Sequence, residues 1–236
     1  MNHDYLLSKI HCPSRLKRDL KQWLKAGVLD NGVFEDTKTG TPQGGVISPI
    51  LANIALLGMG RLIEKMYPKN NKPYTMAIRY ADDFVVISKD LGIIEQCKTA
   101  ISEWLKPIGL EIKPEKTRIC NTLKSIEYNG KTEEPGFDFL GFKIRQYPVG
   151  KYRTGMTPHG KPLGNKTHIK PSQKAVVAHT EVIKGVIKQF KTAPQSTLIS
   201  RLNPIIRGWS NYYSAVVSVE TYNKLDFKIW QMLRAW

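Results

Sequence analysis

Met76-Ala77-Ile78-Arg79-Tyr80-Ala81-Asp82-Asp83-Phe84-Val85-Val86-Ile87-Ser88 places two adjacent carboxylates between two short runs rich in β-branched and aromatic residues. Each run is too short for a helix of its own and reads as a strand. Ala81-Asp82-Asp83 is then the tip of a β-hairpin. Neighbouring side chains in extended backbone point opposite ways, so at a tight turn Asp82 and Asp83 can diverge around one site. A surface turn accounts for aspartate as such. Two adjacent carboxylates repel, however, and a bound Mg²⁺ gives their pairing a reason, because this hard cation takes one or two carboxylates together with phosphate oxygens. The apolar frame on both sides favours the metal reading.

The totals bound the remainder. The chain has 236 residues, enough for one large domain or two small ones, and a 41% hydrophobic share supplies a packed core. The charge balance is 36 − 20 = +16, with the basic residues spread over the whole length. That excess suits a polyanion, with RNA or DNA the first choice and an anionic membrane surface the weaker competitor. Cys12, Cys97 and Cys120 are widely spaced and form no Cys-x-x-Cys pair, so neither a zinc site nor a disulfide framework is expected, and a reducing compartment fits. The N-terminus is polar and soon basic, unlike a signal peptide. The longest apolar run, Val46 to Met59, is interrupted by Ser48, Pro49 and Asn53 and is too short to span a bilayer. The expectation is a protein that is neither secreted nor membrane-bound.

Ahead of the hairpin, Asp4 to Ala26 reads as one or two helices, with Asp4 as a cap and Pro13 as a restart. Asn31-Gly32 signals a hairpin over Val28 to Phe34. Gly40-Thr41-Pro42-Gln43-Gly44-Gly45 is a loop whose exposed backbone lets another chain approach closely, and Gln43 adds an amide that donates and accepts. Ser48 then caps a helix running from Pro49 to about Met66.

Beyond the hairpin, Ile93 to Leu105 is an amphipathic helix with Ile94, Cys97 and Ile101 inward, and Lys116 stands in a turn after Pro114. Phe137-Asp138-Phe139-Leu140-Gly141-Phe142 reads as a strand and tight turn. From Pro148 to Pro171 Gly, Pro, Lys and Thr dominate, periodicity vanishes, and a linker or basic loop is expected. Three helices follow: Ser172 to Lys191, Gln195 to Ala215 with a kink or restart at Pro204, and Val219 to Trp236. The second interleaves Arg207, Trp209, Tyr212 and Tyr213, a mix of cation and aromatic that suits RNA. Helix-spaced aromatics are also core formers, and Trp209 and one tyrosine are expected to be buried.

These motifs together resemble the group II intron reverse transcriptase/maturase family. Tyr80-Ala81-Asp82-Asp83 is similar to its catalytic hairpin. Gly40-Thr41-Pro42-Gln43-Gly44-Gly45-Val46-Ile47-Ser48-Pro49 looks like its nucleotide and template loop, and Phe137 to Phe142 like the segment that holds the primer end. Arg207-Gly208-Trp209-Ser210-Asn211-Tyr212-Tyr213 resembles its maturase domain, and the likeness extends over nearly the whole chain.

The resemblance implies an α+β fold: a partial right-hand polymerase palm over 1–147, an antiparallel sheet with helices on one face; the linker or basic loop 148–171; and an all-α thumb, or maturase domain X, over 172–236. It implies a nucleotidyltransferase of a mobile intron, acting in RNA binding, splicing and retrohoming in a bacterial cytoplasm or an organellar matrix or stroma, with Mg²⁺ as cofactor. Asp82 and Asp83 would hold the metal, and Lys116 would assist departure of pyrophosphate. Pro42, Gln43, Gly44 and Gly45 would meet nucleotide and template, and Phe139, Leu140 and Gly141 would grip the primer. Arg201, Arg207, Trp209, Asn211, Tyr212 and Tyr213 would meet RNA. The implied partners are group II intron RNA, an RNA template and a DNA primer. The family's third aspartate and its fingers region are expected upstream of Met1, so polymerisation is expected to need a complementing N-terminal chain. A non-enzymatic RNA-binding splicing cofactor and a decayed intron remnant are the alternatives.

Overall fold

A computed structural model describes residues 1–30, 33–35, 40, 46–68, 74–150 and 155–236. The chain mixes helices with small antiparallel sheets and divides into two compact units, Met1–Arg118 and Ile119–Trp236.

The first unit begins with α1 (His3–Lys9) and α2 (Ser14–Lys25). Asn2, not Asp4, caps α1: its side-chain oxygen accepts from the backbone N–H of Asp4 and of Tyr5. Asp4 lies in the first turn, where a negative charge suits the helix dipole. Pro13 takes the N-cap position of α2, so the restart falls where expected. The strands β1 (Val28–Asp30) and β2 (Val33–Glu35) pair antiparallel with Asp30 opposite Val33; the Asn31-Gly32 turn lies outside the described residues.

The single helix expected from Pro49 to Met66 is two, α3 (Ser48–Ala55) and α4 (Met59–Met66). Gly58 separates them at φ +112°, a left-handed conformation that no helix continues through. Ser48 is the first helical residue and Ile47 holds the N-cap position, with Pro49 in the first turn, where its missing N–H costs nothing. The hairpin of β3 (Met76–Tyr80) and β4 (Asp83–Ile87) follows, then α5 (Leu91–Leu105), capped by the Asp90 carboxylate. Leu6, Ala55, Met59, Ile63, Cys97, Ile101 and Ile108 form the dry centre of this unit.

The second unit opens with the hairpin of β5 (Ile126–Tyr128) and β6 (Lys131–Glu133). Its two-residue turn holds Asn129 at φ +50° and Gly130 at +72°, as a type I′ turn requires. A three-stranded antiparallel sheet comes next, in the order β7 (Phe137–Phe139), β8 (Phe142–Pro148), β9 (Asn165–Pro171). Strand β9 corrects the expected linker. The last seven residues of 148–171 pair with β8 along its whole length, from Phe142 opposite Pro171 to Pro148 opposite Asn165. Backbone pairing, which the weak apolar pattern of Asn-Lys-Thr-His-Ile-Lys-Pro does not advertise, holds it in place.

Three helices complete the unit: α6 (Gln173–Gln189), α7 (Gln195–Tyr213) and α8 (Val219–Arg234). Ile183, Ile187, Leu198, Leu202 and Ile229 interlock between them. Helix α7 runs without a break through Pro204, so no restart occurs there; the proline removes the bond to the Ser200 carbonyl four residues back and crowds that carbonyl. Among the described residues no helix is long and apolar enough to cross a membrane.

Candidate functional site

In the first unit the register Tyr80 opposite Asp83 leaves Ala81 and Asp82 as a two-residue turn. Ala81 sits at φ +53°. A left-handed conformation costs a residue with a Cβ about 1–2 kcal/mol, so something must hold it. Arg79 does. Its Nη1 donates to the Ala81 carbonyl at 2.6 Å and to Oδ1 of Asn53 on α3 at 3.0 Å. The inner face of the hairpin, Ala77, Phe84 and Val86, packs on the core. Alternation then puts Asp83 on the outer face with Met76, Ile78, Tyr80 and Ile87, all exposed. Asp82 is exposed at the turn itself. The tip is therefore anchored from behind, with its carboxylates open in front.

Oxygen donors of this kind suit Mg²⁺, which completes its shell with water and substrate phosphates rather than with a closed protein cage. Among the described residues no group of three His, Cys, Asp or Glu side chains gathers to hold a metal alone. The aspartate pair fits an ion shared with a phosphate-bearing ligand. Lys116 is exposed on the short turn Pro114–Lys116 and makes no ion pair with either aspartate. Pro42, Gln43, Gly44 and Gly45 lie outside the described residues.

In the second unit, Phe139 opposite Phe142 leaves Leu140 and Gly141 as the turn between β7 and β8, at φ +51° and +81°. Helix α7 clamps this turn. Tyr212 Oη donates to the Leu140 carbonyl and Tyr213 Oη to the Gly141 carbonyl, each at 3.1 Å. Phe142 stacks on Tyr212, with centroids 5.2 Å apart, and meets Tyr213 edge-on at 5.0 Å. The structure thus joins Leu140 and Gly141, expected at the primer, to two tyrosines expected at RNA.

The expected RNA set divides by exposure. Tyr213 is buried, at 4% exposure, so its ring is committed to the protein interior. Burial first, and the neighbouring Tyr212 second, push its hydroxyl pKa up. Trp209 is half-buried between His179, stacked at 4.7 Å, and Tyr213 at 4.5 Å. Burial holds the His179 imidazole below its ordinary pKa. Arg201, Arg207, Asn211 and Tyr212 are exposed, with the Arg201 guanidinium 5.9 Å above the Phe190 ring. Arg79, Asn53 and His179 escaped sequence reasoning. Arg79 carried a signal, being the one cation in an otherwise uncharged strand; His179 carried none.

Residues 2–144 match the family described as reverse transcriptase (RNA-dependent DNA polymerase), and residues 176–236 match the group II intron, maturase-specific domain. The chain is similar to Protein YkfC of Escherichia coli (strain K12), 31% identical over 152 residues that cover 51% of this chain and 36% of that one. It is similar to the group II intron-encoded protein LtrA of Lactococcus lactis subsp. cremoris, 38% identical over 55 residues, 23% of this chain and 9% of that protein. An uncharacterized 91 kDa protein in the cob intron of Schizosaccharomyces pombe is 24% identical over 280 residues, 91% of this chain and 33% of its own length. The chain spans little more than a third, at most, of the length of these curated relatives.

Proposed function

The chain belongs to the reverse transcriptase family, in its group II intron reverse transcriptase/maturase branch, and we propose that it joins a metal-binding aspartate hairpin to an RNA-binding helical region that serves both intron splicing and RNA-templated DNA synthesis. In this reading residues 1–147 are palm and residues 172–236, with helices α6 to α8, are the thumb, or maturase domain X. The observation that carries it is the tip of the β3–β4 hairpin, held in a strained turn by Arg79 with two exposed carboxylates in front.

Asp82 and Asp83 would hold Mg²⁺ together with the phosphates of an incoming nucleotide. Bound there, the ion supplies charge neutralisation and alignment, on which phosphoryl transfer mostly depends. Lys116 offers a cation to a departing pyrophosphate. Pro42 to Gly45 would meet nucleotide and template, and the turn around Leu140 and Gly141 would support the primer end. The exposed side of α7, with Arg201, Arg207, Asn211 and Tyr212, takes RNA through phosphate contacts and stacking. The partners in this reading are intron or template RNA, a DNA primer and a complementing N-terminal reverse-transcriptase chain.

Primer extension and RNA binding, measured on the same preparation with and without such a complementing chain, test this. Asp82→Asn should abolish Mg²⁺-dependent extension of a DNA primer on an RNA template and leave RNA affinity within about twofold, since phosphate contacts supply that affinity. Extension that survives Asp82→Asn contradicts the assignment.

A second reading, a splicing cofactor that does not polymerise, is favoured by the charge distribution. Residues 119–236 carry 18 Lys and Arg against 7 Asp and Glu, or +11, whereas residues 1–118 carry 18 against 13, or +5. RNA binding with no extension under any complementation selects it.

A further inference from the structure

The interval between the two family matches, residues 145–175, holds most of a surface that neither match assigns. Paired residues of adjacent strands share a face. On one face of the β8–β9 ribbon the successive pairs are Lys143 with Lys170, Arg145 with His168, and Tyr147 with Lys166. Every pair contains a cation, and neither strand contains an acidic residue. Lys143 and Lys170 stand directly opposite as like charges, which destabilises a sheet unless a counter-charge is near.

The protein supplies that counter-charge to this one pair and, among the described residues, to none of the other cations of the face. Lys143 meets Asp138 of β7 at 3.7 Å, and Lys170 meets Glu220 of α8 at 3.5 Å. Glu220 is shared with Lys224, whose hydrogen bond is the main reason its carboxyl stays below the usual range. Among the described residues no carboxylate lies within ion-pair distance of Arg145, Lys166 or His168. Arg145 also keeps its Nε buried without a hydrogen-bond acceptor. Interleaved with the cations are two rings: the Arg145 guanidinium lies 4.8 Å from the Tyr147 centroid, and the Tyr147 and His168 rings are 5.2 Å apart and tilted by 56°. Tyr147 is 37% exposed. A solvated basic face needs no such rings. A sheet face that sets an open aromatic among cations offers a base a stacking surface and its flanking phosphates their counter-ions.

We propose that the Lys143-Arg145-Tyr147 and Lys166-His168-Lys170 face of the β8–β9 ribbon binds single-stranded RNA, with a base stacked at Tyr147 and phosphates on Arg145 and Lys166. The proposal rests on the RNA-binding reading above and adds a surface separate from α7.

The test titrates a fluorescently labelled uridine 12-mer into the full chain across a salt series. Arg145→Ala with Lys166→Ala should weaken binding about tenfold and flatten the log K against log salt line by roughly 1.4, at about 0.7 per lost phosphate contact on a single strand. Tyr147→Ala should weaken binding about tenfold through lost stacking, and Tyr147→Phe should restore it. In the unaltered chain, saturating RNA should protect Lys166 from acetylation, a readout that needs no variant to fold. No binding by the unaltered chain sinks the RNA reading itself. Binding by that chain with unchanged affinity and slope in the variants, or with equal acetylation of Lys166 with and without RNA, overturns this proposal and leaves that reading standing. Preference for duplex over single-stranded RNA at this face also overturns it.

Discussion

The hydroxyl of Tyr213 donates to the carbonyl of Gly141 at 3.1 Å across 72 residues of sequence, and a Cβ built on Gly141 would stand 2.6 Å from that same oxygen. The pair therefore fixes both a bond and a glycine. Tyr213→Phe should cost about 1 kcal/mol, the net worth of one hydrogen bond, because the Gly141 carbonyl still accepts from the Ser172 N–H at 2.8 Å. Gly141→Ala should cost about 3 kcal/mol, from a Cβ at φ +81° and from the clash. In the double variant the clash is removed and part of that loss should return. Urea midpoints of the four proteins measure the coupling; strict additivity would show that Tyr213 and Gly141 do not meet as described.

Arg79 ties the turn of the aspartate hairpin to α3, so Arg79→Ala should cost about 1–2 kcal/mol, in the range of hydrogen bonds made by a charged donor near the surface. It should also speed hydrogen exchange at Ala81 to Phe84. Ala81→Gly should act oppositely, raising stability by about 0.5–1 kcal/mol as relief of the left-handed Cβ outweighs the added backbone freedom. Exchange rates that ignore both changes would refute the tether.

His179 gives a pH signature. Burial against Trp209 lowers its folded-state pKa, so the unfolded chain binds the proton more tightly. Stability from this group is full above the unfolded value near 6.5 and falls as pH drops below it toward the depressed folded value. His179→Gln should remove that component, so that variant and parent unfolding free energies converge on acidification from pH 7.5. Parallel curves would mean that His179 is as solvated in the folded state as in the unfolded one.

Cys97 is buried on α5, and burial raises its thiol pKa. Iodoacetamide at pH 8 should modify it only as fast as the first unit opens, since the thiolate is the reactive form. Rapid native-state labelling at Cys97, read by mass spectrometry, would contradict the core described for helices α1 to α5.

What was legible in the sequence follows from how local the cause was. The aspartate hairpin, the restart at Pro13 and the three C-terminal helices rest on apolar patterns and breakers a few residues apart, and the structure has them. Asn129-Gly130 carried an equally local turn signal that passed unread. Gly58 breaks a long apolar helix pattern through a backbone angle that periodicity does not encode. Strand β9 is held by a partner some twenty residues away, so its own composition looks like a linker. The burial of Tyr213 depends on the Leu140–Gly141 turn, and only the fold brings those segments together. At the candidate site both aspartates were readable, whereas Arg79 and Asn53, which position the turn, were not.

The central claim, that Asp82 and Asp83 form a metal centre at the hairpin tip, is tested most directly by Mn²⁺ titration of the isotope-labelled chain with a nucleoside triphosphate present. Paramagnetic broadening should begin at Ala81 to Phe84 and disappear in Asp82→Asn with Asp83→Asn. Broadening centred elsewhere, or unchanged by those substitutions, would contradict it.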